Sequence, residues 1–506
     1  MYIAPNSIVY VLSGVPLDNT YEHTIYFDSK TSQQSWFSSK RKYTFERCTY
    51  LRKERVIRVE VNPDNLYDCN YIMFQNTNFG SKWFYAFITN VEYIANTTAE
   101  ISYEIDAMQT WFFDYSLKPC FVEREHSASD VIGENLQPEN LETGDYIFRD
   151  FIGTNKIRNY KIVVASTFDE DYEDVVGDYY SGIYSGLKYN VFDDADGVND
   201  FISGSGSKTD GIVSVFMMPS DFIADSSLNP VYFDIDNIEK NLEDIDGYVP
   251  NNNKLFTYPY NFLYVTNLNG VSAEFPYEYF SGGKCTFGLV GDMSCNPQIL
   301  LYPRNYKGIS ANYNEKMVLD GFPQCTYVTD TFKAWLAQSA VPSVLNAESS
   351  VLTMAAGLAA GGLTVAGLPV TTIAGAIGVA RVLTSVAQHE AMPNHAKNTQ
   401  GNSASVAMKI KDFAFMHTTI RAEYAKIIDD FWTRYGYPCK ITKVPNRNVR
   451  AHWTYTKTID CNITGNIPTK DIAKIKNVYN NGITFWRNGG EIGNFGLENN
   501  ILNEEV

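Results

Sequence analysis

The run Asp193-Asp-Ala-Asp-Gly-Val-Asn-Asp200 crowds carboxylates as a calcium loop does. Aligning Gly197 with that loop's obligatory glycine puts Phe192 at the first ligand position and Ser203 where a bidentate Glu belongs. The pattern fails, and the run reads as a solvated acidic loop. Gly282-Gly283-Lys284 is followed by Cys285, and Glu278 stands where a phosphate loop needs its first glycine. The histidines are His23, His126, His389, His395, His417 and His452, and none of them form the spacing of a zinc helix. There is no Gly-x-Ser-x-Gly elbow. Paired carboxylates for sugar hydrolysis meet in space rather than in order, so among 58 acidic residues any nominated pair carries no weight. The expected sets of catalytic, cofactor-binding and metal-ligating residues are therefore empty.

What remains is an apolar stretch, Val351 to Leu383, VLTMAAGLAAGGLTVAGLPVTTIAGAIGVARVL, with no charged residue from Ser349 to Ala380. Its larger apolar side chains are Val351, Leu352, Met354, Leu358, Leu363, Val365, Leu368, Val370, Ile373, Ile377, Val379, Val382 and Leu383. A bilayer span needs roughly 20 apolar residues. This stretch is long enough but broken by Gly357, Gly361, Gly362, Gly367, Gly375 and Gly378, with Pro369 near its middle. Each Gly weakens a helix by roughly 1 kcal/mol and an interior Pro by about 3 kcal/mol. Two short arms joined at Gly367-Leu368-Pro369 are expected. Three readings are open: a buried Ala/Gly-rich hairpin, a constitutive anchor, and a sequestered loop that enters a membrane when triggered. Small residues fit the third, because Gly357-x-x-x-Gly361 permits close helix approach in lipid while keeping total hydrophobicity modest. A polar tether, Asn394 to Ser405, follows.

The elements that must carry this stretch are of another kind. The chain has 506 residues, a net charge of −17, 44 % apolar content, 35 Tyr and 30 Phe. That length allows several domains, and the aromatic enrichment favours strands. An acidic chain is a poor ligand for nucleic acid, whose phosphates need Lys and Arg, yet it suits a surface DNA must slide past. Cys48, Cys69, Cys120, Cys285, Cys295, Cys325, Cys439 and Cys461 are scattered, as free buried thiols are, which predicts folding in a reducing compartment. MYIAPNSIVY lacks the basic and apolar regions of a secretory signal.

Strands are expected at Ser7–Leu12, Arg55–Val61, Tyr71–Phe74, Trp83–Thr89 and Glu100–Ile105, spaced as in a barrel or sandwich. Further strands are expected at Lys161–Val164, Ile212–Phe216 and Tyr260–Thr266, with Ile202–Gly211 as loop. Helices are expected only around the apolar stretch. These are Asp330–Leu336, then Lys411–Tyr435 with Ile420, Tyr424, Ile427, Phe431 and Tyr435 facing a core, ended by Gly436 and Pro438. A last helix, Asp471–Asn481, follows Thr469 as its cap, and Gly482–Trp486 is a strand. The expected division is an N-terminal β-rich domain (1–126), an inserted Asp/Gly-rich β domain (127–256), the first part of a second β-rich domain (257–340), the apolar loop with its tether (341–405) and the remainder of that domain (406–506).

One hairpin makes no pore, but several copies around an axis could satisfy their backbone groups internally, as a bilayer requires. A ring with an acidic bore and membrane-seeking loops would pass a polyanion across a membrane.

Several runs match a known family: Tyr71-Ile-Met-Phe-Gln-Asn76 with Lys82-Trp-Phe-Tyr-Ala-Phe87, Glu104-Ile-Asp-Ala-Met-Gln-Thr-Trp111 and Arg124-Glu-His126. Ala422-Glu-Tyr424, Tyr435-Gly-Tyr437, Asn481-Gly-Ile-Thr484 and Ile492-Gly-Asn494 continue the match. The chain resembles the tail knob, or distal tail tube, proteins of small short-tailed phages (podophages) of Gram-positive bacteria, over nearly its whole length. The section around 127–320 is shorter and poorly matched. The resemblance implies a mainly β fold of β-barrel-like tube domains, with a few helices in the C-terminal part. It implies a homohexameric tube at the distal end of the virion tail, assembled in the host cytoplasm beside upper tail or collar proteins and a tail tip protein. It implies that the Gly/Ala-rich loops plug the bore, then enter the host cytoplasmic membrane as a pore while double-stranded DNA passes. No catalytic residue or cofactor is implied. The alternatives are a receptor-binding or cell-wall-degrading tail protein and a host-derived membrane anchor.

Overall fold

Alternating burial along the strands builds most of this molecule. In Ser7–Ser13, Val9 and Val11 face a core while Ile8 and Tyr10 are half-buried. The computed structural model describes residues 7–48, 50–51, 55–76, 80–154, 157, 160–173, 178–180, 183–185, 187–222, 231–235, 242–292, 298–322, 324–326, 399–400 and 411–502. They fold mainly as antiparallel sheets with few helices, as the aromatic and β-branched content predicts. Every strand expected above is present, with bounds differing by a few residues.

The chain divides into two units, the first comprising 1–141, 251–254 and 427–506 and the second 142–250 and 255–426. The first unit holds a seven-stranded antiparallel sheet in the order Arg41–Glu46, Ser7–Ser13, Cys69–Asn76, Phe84–Ala95, Thr98–Ile105, Val56–Val59, Tyr50–Leu51. Its five-stranded sheet runs His23–Ile25, Ile483–Trp486, Trp453–Ile459, Cys120–Glu125, Tyr437–Lys443. The first pair of that sheet is parallel and joins the two ends of the sequence, His23 standing opposite Thr484. The core between them contains Phe37, Tyr71, Ile72, Ile101, Ile475 and Tyr479.

The second unit holds three larger sheets. One runs Tyr146–Gly153, Ala414–Ile420, Asn261–Thr266, Ser272–Phe275; another runs Lys188–Phe192, Tyr160–Ser166, Ile212–Pro219, Gln324–Thr326, Thr399–Gln400. The third joins Val231–Asp234, Thr286–Asp292, Gln298–Tyr306 and Ile309–Ala311, with Met317–Leu319 also on Gln298–Tyr306. Val164, Leu263, Phe287, Leu301, Phe413 and Phe415 share its main core.

The helices correct several expectations. Lys30–Ser39 is a helix far from the apolar stretch, started by a reciprocal Ser29/Ser32 capping box and buried through Gln33 and Phe37. Ala107–Trp111 forms a short helix capped by Asp106. Ala195–Gly204 is also helical, so Ile202–Gly211 is not loop but the end of that helix and a 3-10 turn, Gly206–Gly211. The expected helix Lys411–Tyr435 begins only at Ala422, because Ala414–Ile420 is a strand buried at every position and paired on both sides. Its buried positions are Ala425, Ile428, Asp429 and Trp432, whereas Ile427 is 67 % exposed and Tyr435 39 %. The apolar stripe thus lies on the wrong side, and the carboxylate of Asp429 faces inward because it receives the Asn251 and Asn252 amides. Gly436 does end this helix, in the left-handed region at φ +66° with its N–H on the Trp432 carbonyl. The last helix is Thr469–Asn481. Pro468 occupies the cap position with no side-chain hydrogen bond, so Thr469 is its first helical residue rather than its cap.

Candidate functional site

Every residue named above for a membrane-entering loop, from Val351 to Leu383, lies outside the described residues, as do its glycines, Pro369, the Asp330–Leu336 helix, His389, His395 and the Asn394–Ser405 tether apart from Thr399 and Gln400. Among the described residues no helix is long and apolar enough to cross a membrane. What the structure does give is the place where the stretch is attached. Residues 327–398 are preceded by Gln324–Thr326, the exit side, and followed by Thr399–Gln400, the returning side, and these strands are antiparallel neighbours with Cys325 opposite Thr399. Gln324–Thr326 is also paired to Ile212–Pro219, so the attachment belongs to a five-stranded sheet.

Beside this pair lies a buried polar group that sequence reasoning missed. Lys411 is 3 % exposed; its ammonium donates to the Asp320 carbonyl and stands 5.1 Å from the Phe322 ring. Burial depresses the lysine to about 8, with Asp320 opposing the shift. Next to it Asp412 accepts from the Thr154 hydroxyl and, at 2.8 Å, from the Phe413 N–H. A signal existed: Lys411 and Asp412 are the last Lys, Arg, Asp or Glu residues before the strand Ala414–Ile420, which is buried at every position.

The residues first tested for chemistry have structural roles. Asp194 caps the Ala195–Gly204 helix by accepting from the Gly197 N–H at 2.9 Å, and this cap explains the acidic run. No group of three potential metal ligands occurs among the described residues. His126 is fully used: Nδ1 accepts from the Tyr455 N–H at 2.7 Å and Nε2–H donates to the Thr433 carbonyl at 3.1 Å. Burial, with Arg450 nearby, lowers it to about 3, so it is neutral. His417 donates from Nε2 to Asn261 Oδ1 at 2.8 Å and is lowered by burial to about 4. His452 meets Glu491 at 2.8 Å, and His23 accepts from the Trp486 indole at 3.3 Å. Cys48, Cys69, Cys120, Cys285, Cys439 and Cys461 are free thiols.

The runs that carried the resemblance hold buried polar networks. Asp106 accepts from the Tyr71 hydroxyl at 2.9 Å and the Gln109 N–H at 3.0 Å. Gln109 passes the network on to Thr24 and Ile25 and receives Gln33. Burial raises Asp106 to about 6. Trp111 donates its indole N–H to Asp471 at 2.8 Å. Glu125, fully buried, accepts two bonds from Asn446 at 2.8 Å each and pairs with Lys443. Arg124 and Lys254 share Glu139, at 2.8 and 3.3 Å, which also accepts from the Trp432 indole. These arrangements fix a framework; they do not gather a nucleophile, base and open space.

The described residues form a mainly β framework of antiparallel sheets, and the buried polar side chains named above are spent on internal bonds. The family model of the caudoviral major tail protein N-terminus matches residues 5–116. The model described as Bacillus phage phi29, tail knob protein gp9, C-terminal domain, matches residues 225–502, more than half of the chain, and the chain belongs to that family. Tail knob protein gp9 of Bacillus phage B103 is 24 % identical, covering 97 % of this chain and 98 % of that protein. Tail knob protein gp9 of Bacillus phage PZA is 25 % identical over the same shares. Among solved structures, the tail knob protein gp12 of bacteriophage C1 matches 98 % of this chain and 100 % of its own, with a TM-score of 0.62 and 14 % identity, a likeness of fold. The chain is thus of the tail knob class, a structural component of a phage virion's tail.

Proposed function

We propose that this chain forms a homohexameric tube at the distal end of the tail, between upper tail or collar proteins and a tail tip protein. Its 351–383 stretches plug the bore, and on infection enter the host cytoplasmic membrane as a pore through which double-stranded DNA leaves. The tube is assembled in the host cytoplasm. The observation that carries this reading is the absence of any charge from Ser349 to Ala380 in a chain whose net charge is −17. The pairing of the strands on either side of 327–398 supports it, because it holds the two ends of that segment together. A bore through which a polyanion slides is served by an acidic protein.

The test is liposome flotation of the intact protein beside Gly361→Asp and Pro369→Asp. A carboxylate at mid-bilayer costs about 3 kcal/mol, which is about a hundredfold in partitioning. Binding by the parent and loss of binding in both variants is the expected result; equal flotation of all three overturns the reading.

A further inference from the structure

The strands that flank 327–398 are tied together twice, once inside the sheet and once outside it. Inside, Gln324 stands opposite Gln400 and Cys325 opposite Thr399. Among the described residues Thr399–Gln400 is the last strand of its sheet, and the ladder there has two pairs. A ladder so short frays readily. Outside, the tie is Lys411. It lies on the returning side and reaches the exit side, donating to the Asp320 carbonyl and standing over the Phe322 ring. Gly321, between those two contacts, has φ +68°, and a Cβ there would come within 3.2 Å of Nζ. A glycine at this position leaves room for the ammonium.

The returning chain is itself anchored. Thr154 donates its hydroxyl to Asp412 and its N–H to the Phe413 carbonyl at 3.1 Å, and Gly153 pairs with Ala414. Phe322 is 1 % exposed and lies 6.4 Å, ring to ring, from Tyr160 of the neighbouring strand Tyr160–Ser166. A buried ammonium is expensive where an apolar side chain would pack. Phe322 and Phe413 already share the apolar core, so the ammonium adds a directional link between the two segments to the one that packing supplies.

We propose that Lys411 is a clasp that fastens the returning chain to the exit chain at Asp320–Phe322, so that the strands flanking 327–398 stay paired. The claim stands independently of membrane entry, and its test does not involve lipid.

Hydrogen exchange on the full-length protein reads it directly. Lys411→Met keeps length and packing but removes the donor. Lys411→Gln keeps a polar side chain but removes the charge and shortens the reach. Either change should speed exchange about tenfold or more at Gln324–Thr326 and Thr399–Gln400, the increase expected when a local tie opens, while Tyr160–Ser166 in the same sheet is unchanged. Unaltered exchange at the two flanking strands in both variants overturns the clasp. So does a loss of protection spread equally over Tyr160–Ser166, which would make Lys411 an ordinary part of the core. Should Lys411→Met fail to fold, Lys411→Gln alone decides between these outcomes.

Discussion

At the scale of single residues, the side chains that look chemical are those that hold the frame. Asp106 receives a hydroxyl and an amide in a site closed to water. Asp106→Ala would leave both donors buried without a partner and should destabilise the first unit by about 3 kcal/mol, since charge-assisted bonds are worth about 1.5–3 kcal/mol each. Asp106→Asn should cost less, and urea denaturation separates the two. Burial lifts Asp106 from 3.8 to about 6, so between these values the folded chain holds more protons than the unfolded one. Stability relative to Asp106→Asn therefore falls as pH rises across that window. Lys411 has the opposite sign. It drops from 10.5 to about 8, so the unfolded chain holds more protons between those values, and stability relative to Lys411→Met rises with pH across them. The charged group that acts on Lys411 is Asp320, which holds its proton on. Thermal melts of parent and variant at matched pH measure both slopes. None of these pairings was legible in the sequence. His126 meets Tyr455, Trp111 meets Asp471 and Glu125 meets Asn446, partners more than 300 positions apart.

At the scale of elements, the strands were legible and the helix faces were not. Alternation placed Glu100–Ile105 and its neighbours because a half-buried strand has a period of two wherever it sits. Lys30–Ser39 escaped because KTSQQSWFSS buries only Gln33 and Phe37; its start is written in Ser29 and Ser32 instead. The stripe through Ile427 and Tyr435 misled because a carboxylate, Asp429, occupies the inner face for the sake of two backbone amides. Gly436, by contrast, was readable as a helix stop. Its role is stricter than that, since a Cβ would fall 2.2 Å from the Glu125 carbonyl. Gly436→Ala should destabilise the first unit by about 3 kcal/mol or more, combining left-handed strain with a backbone clash. Ile475, wholly buried on the Thr469–Asn481 helix, should cost about 2–5 kcal/mol when cut to Ala. Both follow from chemical denaturation monitored by near-ultraviolet circular dichroism.

At the scale of the molecule, the sequence disclosed a mainly β chain and an uncharged excursion, but not how one unit is assembled from distant pieces. That the strand beginning at His23 pairs with the one ending at Trp486 depends on long-range register, which local patterns do not carry. The attachment of the excursion at Cys325 and Thr399 was equally hidden, because two- and three-residue strands leave too short an imprint. Once seen, it makes a prediction about the whole chain. Joining 326 to 399 by a short Gly-rich turn should leave the melting temperature within about 2 °C of the parent, a difference of no more than about 2 kcal/mol for a chain of this size.

That shortened chain also permits the most direct test of the membrane proposal. Liposomes loaded with a small dye and with dextran as wide as duplex DNA are mixed with the parent protein or with the chain lacking 327–398, at matched particle mass. The account predicts release of both markers by the parent and of neither by the shortened chain. Equal release by the two proteins, or none by either under conditions where the parent floats with lipid, would contradict it.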